Sequence, residues 1–127
     1  MAVKLTVPAA QSEVKTNLQQ ALAAAQCAED NRGQEVVILD LRDQTAVFDF
    51  FVIATGSSQR QLRAMSDAID DVLQKEYGHK RLGTEGYKDT NWILLDYGSI
   101  VIHLFDSKGR EYYRLEELWG GAKRVPR

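Results

Sequence analysis

At 127 residues and 44% hydrophobic content, the chain is long enough for one domain whose core needs neither metal nor disulfide support. Sixteen basic and eighteen acidic side chains leave a net charge of -2, which offers no field for a phosphate backbone and makes any RNA contact incidental. A single cysteine, Cys27, excludes an intrachain disulfide, and the two histidines, His79 and His103, lack the companions a zinc site needs.

Residues 1 to 11 read as a flexible lead-in, with Pro8 discouraging an earlier helix start. The first helix is expected from Ser12, a good N-cap, to about Asn31, with Gly33 as its stop. Val14, Leu18, Leu22 and Ala25 fall on one side of it. The continuous apolar run at 35 to 41 predicts a buried strand, and Phe48 to Thr55 a second one, antiparallel to the first because the connection is short. Ser58 with Gln61 predicts a capping box opening a helix whose apolar stripe is Leu62, Met65, Ile69, Val72, Leu73 and Tyr77, closed by Gly78. Residues 79 to 90 read as loops with a short edge strand near Arg81 to Gly83.

Residues 91 to 105 organise the rest as a hairpin. A two-residue loop at Tyr97-Gly98 pairs Asp96 with Ser99, Leu95 with Ile100, Leu94 with Val101, Ile93 with Ile102 and Trp92 with His103. Ile93, Leu95, Ile100, Ile102 and Leu104 then form an aliphatic core side. Trp92, Leu94, Asp96, Ser99, Val101, His103 and Phe105 form the other, mixed side, a candidate partner surface. The competing expectation is that a helix of the same chain covers this side, leaving Trp92 and Phe105 as core and His103 satisfied locally. After a turn at 106 to 109, one helix is expected from Arg110 to Trp119, stopped by Gly120-Gly121, and then a short basic, mobile tail over 120 to 127. No run approaches a membrane span, so a protein of the cytoplasm or of an organelle interior is expected.

The stretch nearest to enzyme chemistry is Gly56-Ser57-Ser58, where free amides at a helix start suit a phosphate and Arg60 lies nearby. Capping explains the same residues. Nucleotidyl transfer also needs clustered carboxylates for magnesium, whereas Asp96 stands alone on its strand, Asp89 lies in a turn, and Asp67, Asp70 and Asp71 sit on an exposed helix face. A pairing of Ser57 or Ser58 with His103 lacks any nucleophile-elbow pattern.

The run Asp49-Phe-Phe-Val-Ile-Ala-Thr-Gly-Ser-Ser58, then Glu85-Gly86, Trp92, Leu95-Asp-Tyr-Gly98, Val101, His103, Phe105 and Arg110-Glu-Tyr-Tyr-Arg-Leu-Glu-Glu-Leu-Trp119 resembles the ribosomal silencing factor, or Iojap-like, family. The resemblance covers about residues 12 to 119. It implies a single small α/β domain, a mixed sheet flanked by helices, nucleotidyltransferase-like but without catalytic carboxylates, and no cofactor. It further implies a translation repressor, not an enzyme, that binds the large ribosomal subunit through large-subunit ribosomal protein fourteen and sterically blocks joining of the small subunit. Carried over residue by residue, its contact surface falls on Trp92, Leu94, Asp96, Tyr97, Val101, His103 and Phe105. The turn departs from the family at Ser99, where an acidic residue is expected. The alternative is a nucleotide-binding or nucleotidyltransferase-like enzyme using Gly56-Ser57-Ser58. An exposed face holding Trp92, Leu94 and Phe105 also predicts weak homodimerisation.

Overall fold

The computed structural model describes residues 9–86 and 91–127, and within the first helix the side chains from Thr16 onward. The elements follow as α1 (Ala9–Asp30), β1 (Gln34–Asp40), β2 (Phe50–Thr55), α2 (Gln59–Tyr77), β3 (Gly83–Glu85), β4 (Trp92–Asp96), β5 (Ile100–Phe105), α3 (Ser107–Tyr113), α4 (Leu115–Leu118) and β6 (Lys123–Arg124). They form an α/β domain around one mixed sheet of order β3-β4-β5-β2-β1-β6, in which only β2 and β5 run parallel among the described pairs. Most of the lead-in, residues 1 to 8, and the Asp89-Thr90 end of the 79 to 90 loop lie outside the described residues.

On one side of the sheet α1 and α2 enclose the main core. Ala21, Ala24, Ala25 and Ala28 are fully buried, so α1 lays a stripe of small residues on the sheet and backbones come close. From α2 come Leu62, Met65, Ile69 and Leu73, and from the strands Ile38, Phe50, Val52, Ala54, Ile93, Leu95, Ile100, Ile102 and Leu104. The second side buries Leu39, Leu41, Phe51, Ile53, Val101 and Phe105 under the short segment that carries Leu115 and Trp119.

Several boundaries differ from expectation for local reasons. Helix α1 already includes residue 9, so Ser12 lies inside it and not at its start. At its other end Arg32, not Gly33, takes the left-handed turn with φ 67°. Gly33 is required for closeness instead, since a Cβ there would meet the Ala28 carbonyl oxygen at 2.7 Å. Helix α2 agrees with the reading: Ser58 Oγ accepts from the Gln61 amide and Gly78 closes the helix at φ 63°. The edge strand falls at Gly83–Glu85, slightly later than Arg81 to Gly83.

The single helix expected over 110 to 119 is two pieces, because Arg114 adopts φ 48° and breaks the hydrogen-bond ladder between α3 and α4. The expected turn at 106 to 109 is the cap and first turn of α3: Asp106 accepts from the Gly109 amide at 2.7 Å. Gly109 packs on the entry to β4, where a Cβ would meet the Asn91 carbonyl oxygen at 2.3 Å. Nor does the basic tail hang free. Lys123–Arg124 extend the sheet along β1, the Val125 amide bonds the Ile38 carbonyl at 2.9 Å, and Arg127 reaches the Val36 carbonyl and the Glu29 carboxylate.

Candidate partner surface

The hairpin sets up the site. Its register is Trp92 with Phe105, Ile93 with Leu104, Leu94 with His103, Leu95 with Ile102 and Asp96 with Val101. This differs by two residues from the expected pairing, because the loop is Gly98-Ser99 and Tyr97 pairs with Ile100 through a 3.0 Å bond from its amide. Gly98 at φ 86° occupies the first loop position, and the Asp96 carboxylate accepts from its amide at 2.8 Å. A slip of two residues keeps every side chain on its original side of the sheet, so the division of faces is unchanged.

The same alternation removes Tyr97 from the group of candidate contacts. It shares the helix side with Ile93 and Leu95, is buried, and donates its hydroxyl to Asp70 at 2.6 Å while Arg81 approaches Asp70 at 3.7 Å. Burial first, and then the hydrogen bond to Asp70, raise its phenol far above the ordinary value. Tyr97 therefore ties β4 to α2 and presents nothing to a partner.

Trp92, Leu94, Asp96, Val101, His103 and Phe105 do share the other side, but at two depths. Val101, His103 and Phe105 are buried, as the self-covering expectation requires, whereas Trp92, Leu94 and Asp96 retain accessible surface. The Trp92 indole N–H donates to His103 Nδ1 at 3.1 Å, which leaves the imidazole proton on Nε2. Nε2 has no hydrogen-bond partner among the described residues. The ring stands edge-on to Phe51 at 4.4 Å between centroids and parallel to Phe105 at 6.4 Å. Burial alone lowers its pKa to about 3, so His103 is neutral in the fold.

These rings belong to a longer aromatic band. It runs Phe48 to Phe51 (5.2 Å), Phe51 to His103 (4.4 Å), His103 to Trp92 (5.7 Å), Trp92 to Tyr113 (4.4 Å) and Tyr113 to Tyr112 (5.0 Å). Trp119 closes on Phe51 at 5.8 Å. The middle of the band is interior and its end is open: Tyr112 is 78% exposed, Leu118 73% and Tyr113 38%. A hollow of about 190 Å³ lies between Glu85, Gly86, Trp92, Leu94 and Tyr113. Tyr112 and Tyr113 were absent from the residues expected at the site. Their signal was present, because two adjacent aromatics on a short helix point about 100° apart, which turns one of them toward the edge of the buried stripe.

The turn after β2 is filled by its own side chains. The Ser57 amide and hydroxyl both donate to Gln61 Oε1, whose Nε2 in turn donates to the carbonyls of Asn31 (3.1 Å) and Arg32 (2.9 Å). The capping box is thus displaced by one residue, reaching Ser57 instead of Ser58, and Gln61 staples the end of α1 to the start of α2. The carboxylates are dispersed too: Asp49 accepts from Asn17, Asp70 from Tyr97 and Asp96 from Gly98. Among the described residues no group of three or more His, Cys, Asp or Glu is placed to hold a metal. His103 bonds Trp92, and no bond links it to Ser57 or Ser58 among the described residues.

The chain matches, over residues 14–127, the family described as ribosomal silencing factor during starvation. A relative from Chromobacterium violaceum, named ribosomal silencing factor RsfS, is 37% identical over 100 residues that cover 79% of this chain and 81% of the relative. The protein of the same name from Bacillus subtilis is 38% identical over 101 residues, 80% of this chain and 84% of that one. A crystal structure of a Chromobacterium violaceum protein aligns with TM-score 0.72 at 35% identity and covers 88% of both chains. With a family match reaching from α1 to the last residue and relatives of that name more than a third identical over most of both chains, this chain belongs to the ribosomal silencing factor family.

Proposed function

We propose that the protein represses translation without catalysis, by seating its aromatic band on large-subunit ribosomal protein fourteen and so keeping the small subunit from joining. The observation that carries this reading is the open end of the band, where Trp92, Leu94 and Tyr113 line a hollow and the exposed Tyr112 packs against Tyr113. Exposed aromatics next to an apolar hollow are what a protein interface uses as anchors, and desolvating them favours binding without any reacting group. In this reading Trp92, Leu94 and Asp96 touch the partner, Val101, His103 and Phe105 support them from beneath, and Tyr112 and Tyr113 join them. The action belongs to the compartment where subunits join, which in this reading is the cytoplasm. Among the described residues no helix is long and apolar enough to cross a membrane.

The test is sedimentation with purified ribosomal subunits. Wild-type protein should pellet with large subunits, not with small ones, and should lower subunit joining in a purified translation assay. Trp92→Ala should weaken that binding by about 2 kcal/mol, roughly thirtyfold, as truncated aromatic anchors do. Its fold should survive, since the indole lies at the margin of the second core. Normal sedimentation of a folded Trp92→Ala protein would place the contact elsewhere. The nucleotide-using alternative is tested by calorimetry with nucleotide and magnesium, where no heat of binding is expected because Gln61 already occupies the Ser57 amide.

A further inference from the structure

The segment from Ser107 to Trp119 is held to the sheet differently from the long helices α1 and α2. Helices α3 and α4 span seven and four residues, both too short to persist without tertiary support. Leu115 is the one buried apolar side chain that α3 and α4 place in the second core. Besides it, the segment buries a cation. Arg110 is buried, and its guanidinium donates from Nη1 to Thr55 Oγ1 at 2.8 Å, at the end of β2. From the opposite side of the fork Nη2 donates to Glu116 Oε2 at 2.6 Å and Nε to the same carboxylate at 3.2 Å.

One planar group thus joins the central sheet, α3 and α4. The break at Arg114 lies between Arg110 and Glu116, so the chain folds back on itself and the fork closes the fold-back. Burial works to raise the Glu116 carboxyl, but hydrogen bonding and charge from Arg110 outweigh it and the net shift is downward. The same segment carries Tyr112 and Tyr113, the open end of the aromatic band, and Trp119, which closes on Phe51.

We infer that Arg110 is the positioning residue of the partner surface: it latches residues 107–119 as an arm that opens separately from the sheet, and thereby decides whether Tyr112 and Tyr113 stand beside Trp92. This rests on the reading of that surface as the ribosome contact. It goes further in assigning the surface two halves, a rigid one on β4 and β5 and a latched one on the arm. The arm touches no partner through Arg110 itself. A lysine at this position keeps the charge but lacks the fork, so it cannot hold Thr55 and Glu116 together.

The experiment measures native-state amide exchange and large-subunit binding on wild type, Arg110→Lys and Thr55→Val. Thr55→Val preserves strand shape and removes only the hydroxyl at the far anchor, so it decides the matter should Arg110→Lys fail to fold. In either variant, exchange should rise about tenfold or more over residues 107–119 while β2 and β5 keep their protection, since one charged hydrogen bond carries about a factor of ten. Binding to large subunits should fall by about the same factor. Unchanged exchange over 107–119 overturns the latch, and so does an equal rise throughout the sheet, which makes Arg110 an ordinary member of the fold. Faster exchange in the arm with undiminished binding overturns its positioning role. Failure of wild-type protein to bind large subunits overturns the partner instead, and the exchange measurement, which needs no ribosome, tells the two failures apart.

Discussion

His103 shows how one buried side chain can serve a surface it does not reach. Its Nδ1 fixes the Trp92 indole from below, and being neutral it adds no charge beneath the aromatic band. That neutrality has a pH signature. The unfolded imidazole titrates near its ordinary value of 6.5, whereas burial holds the folded one down to about 3. Between those values the unfolded chain binds the extra proton, so stability is complete above about 6.5 and declines as the pH falls toward 3. The slope should approach roughly 1.4 kcal/mol per pH unit once the pH is well below the unfolded value. Chemical denaturation at pH 7 and pH 5 should resolve it. His103→Gln still accepts from Trp92 but does not titrate, and should flatten that part of the profile; an unaltered slope would assign the acid sensitivity to carboxylates. The sequence placed His103 on the correct side of the sheet through alternation alone. Its depth was not legible, because the ring that covers it, Phe51, and the Trp119 packed on Phe51 arrive from other parts of the chain.

Among elements, those with strong local signals were readable and those made by distant contacts were not. The stripe and caps of α2 specify it fully, and Ser58→Ala should cost about 0.5 to 2 kcal/mol in folding stability while leaving large-subunit binding nearly unchanged. Thermal melting with sedimentation checks both halves of this expectation, and loss of binding at a normal melting temperature would revive a ligand role for the turn. Faces of the hairpin survived a misplaced loop because the period of a strand is two, and moving the loop by one residue, from Tyr97-Gly98 to Gly98-Ser99, shifts the pairing by two. Tyr97 could have been excluded from the contact surface by parity with Leu95. By contrast, nothing in Glu111 to Leu115 announces a left-handed arginine, since residues with side chains adopt that conformation only when surrounding packing imposes it. The strand at Lys123–Arg124 was equally hidden: two charged residues carry no β signal, and it is Val125 packing on the main core that draws them to β1.

For the molecule as a whole, the two sides of the sheet have unequal cover. Helices of 22 and 19 residues close one side, while pieces of seven and four residues leave the other with Trp92, Leu94, Tyr112, Tyr113 and Leu118 at least partly accessible. A patch of that kind favours being covered, and in free protein the available cover is a second copy related by a two-fold axis. We expect a weak homodimer through the aromatic band. A standard interface takes about 800 Å² from each partner, a large share of one face of a chain whose accessible surface is 7491 Å². Dimer and ribosome should therefore compete for the same surface. Sedimentation velocity should show dimer growing at high micromolar concentration, and Trp92→Ala should weaken it together with large-subunit binding. A strictly monomeric profile would remove the dimer, and a dimer indifferent to Trp92→Ala would assign it to another face. If competition holds, dilution frees the binding surface, so the inhibited fraction of ribosomes should respond less than linearly to total protein at concentrations where the dimer forms.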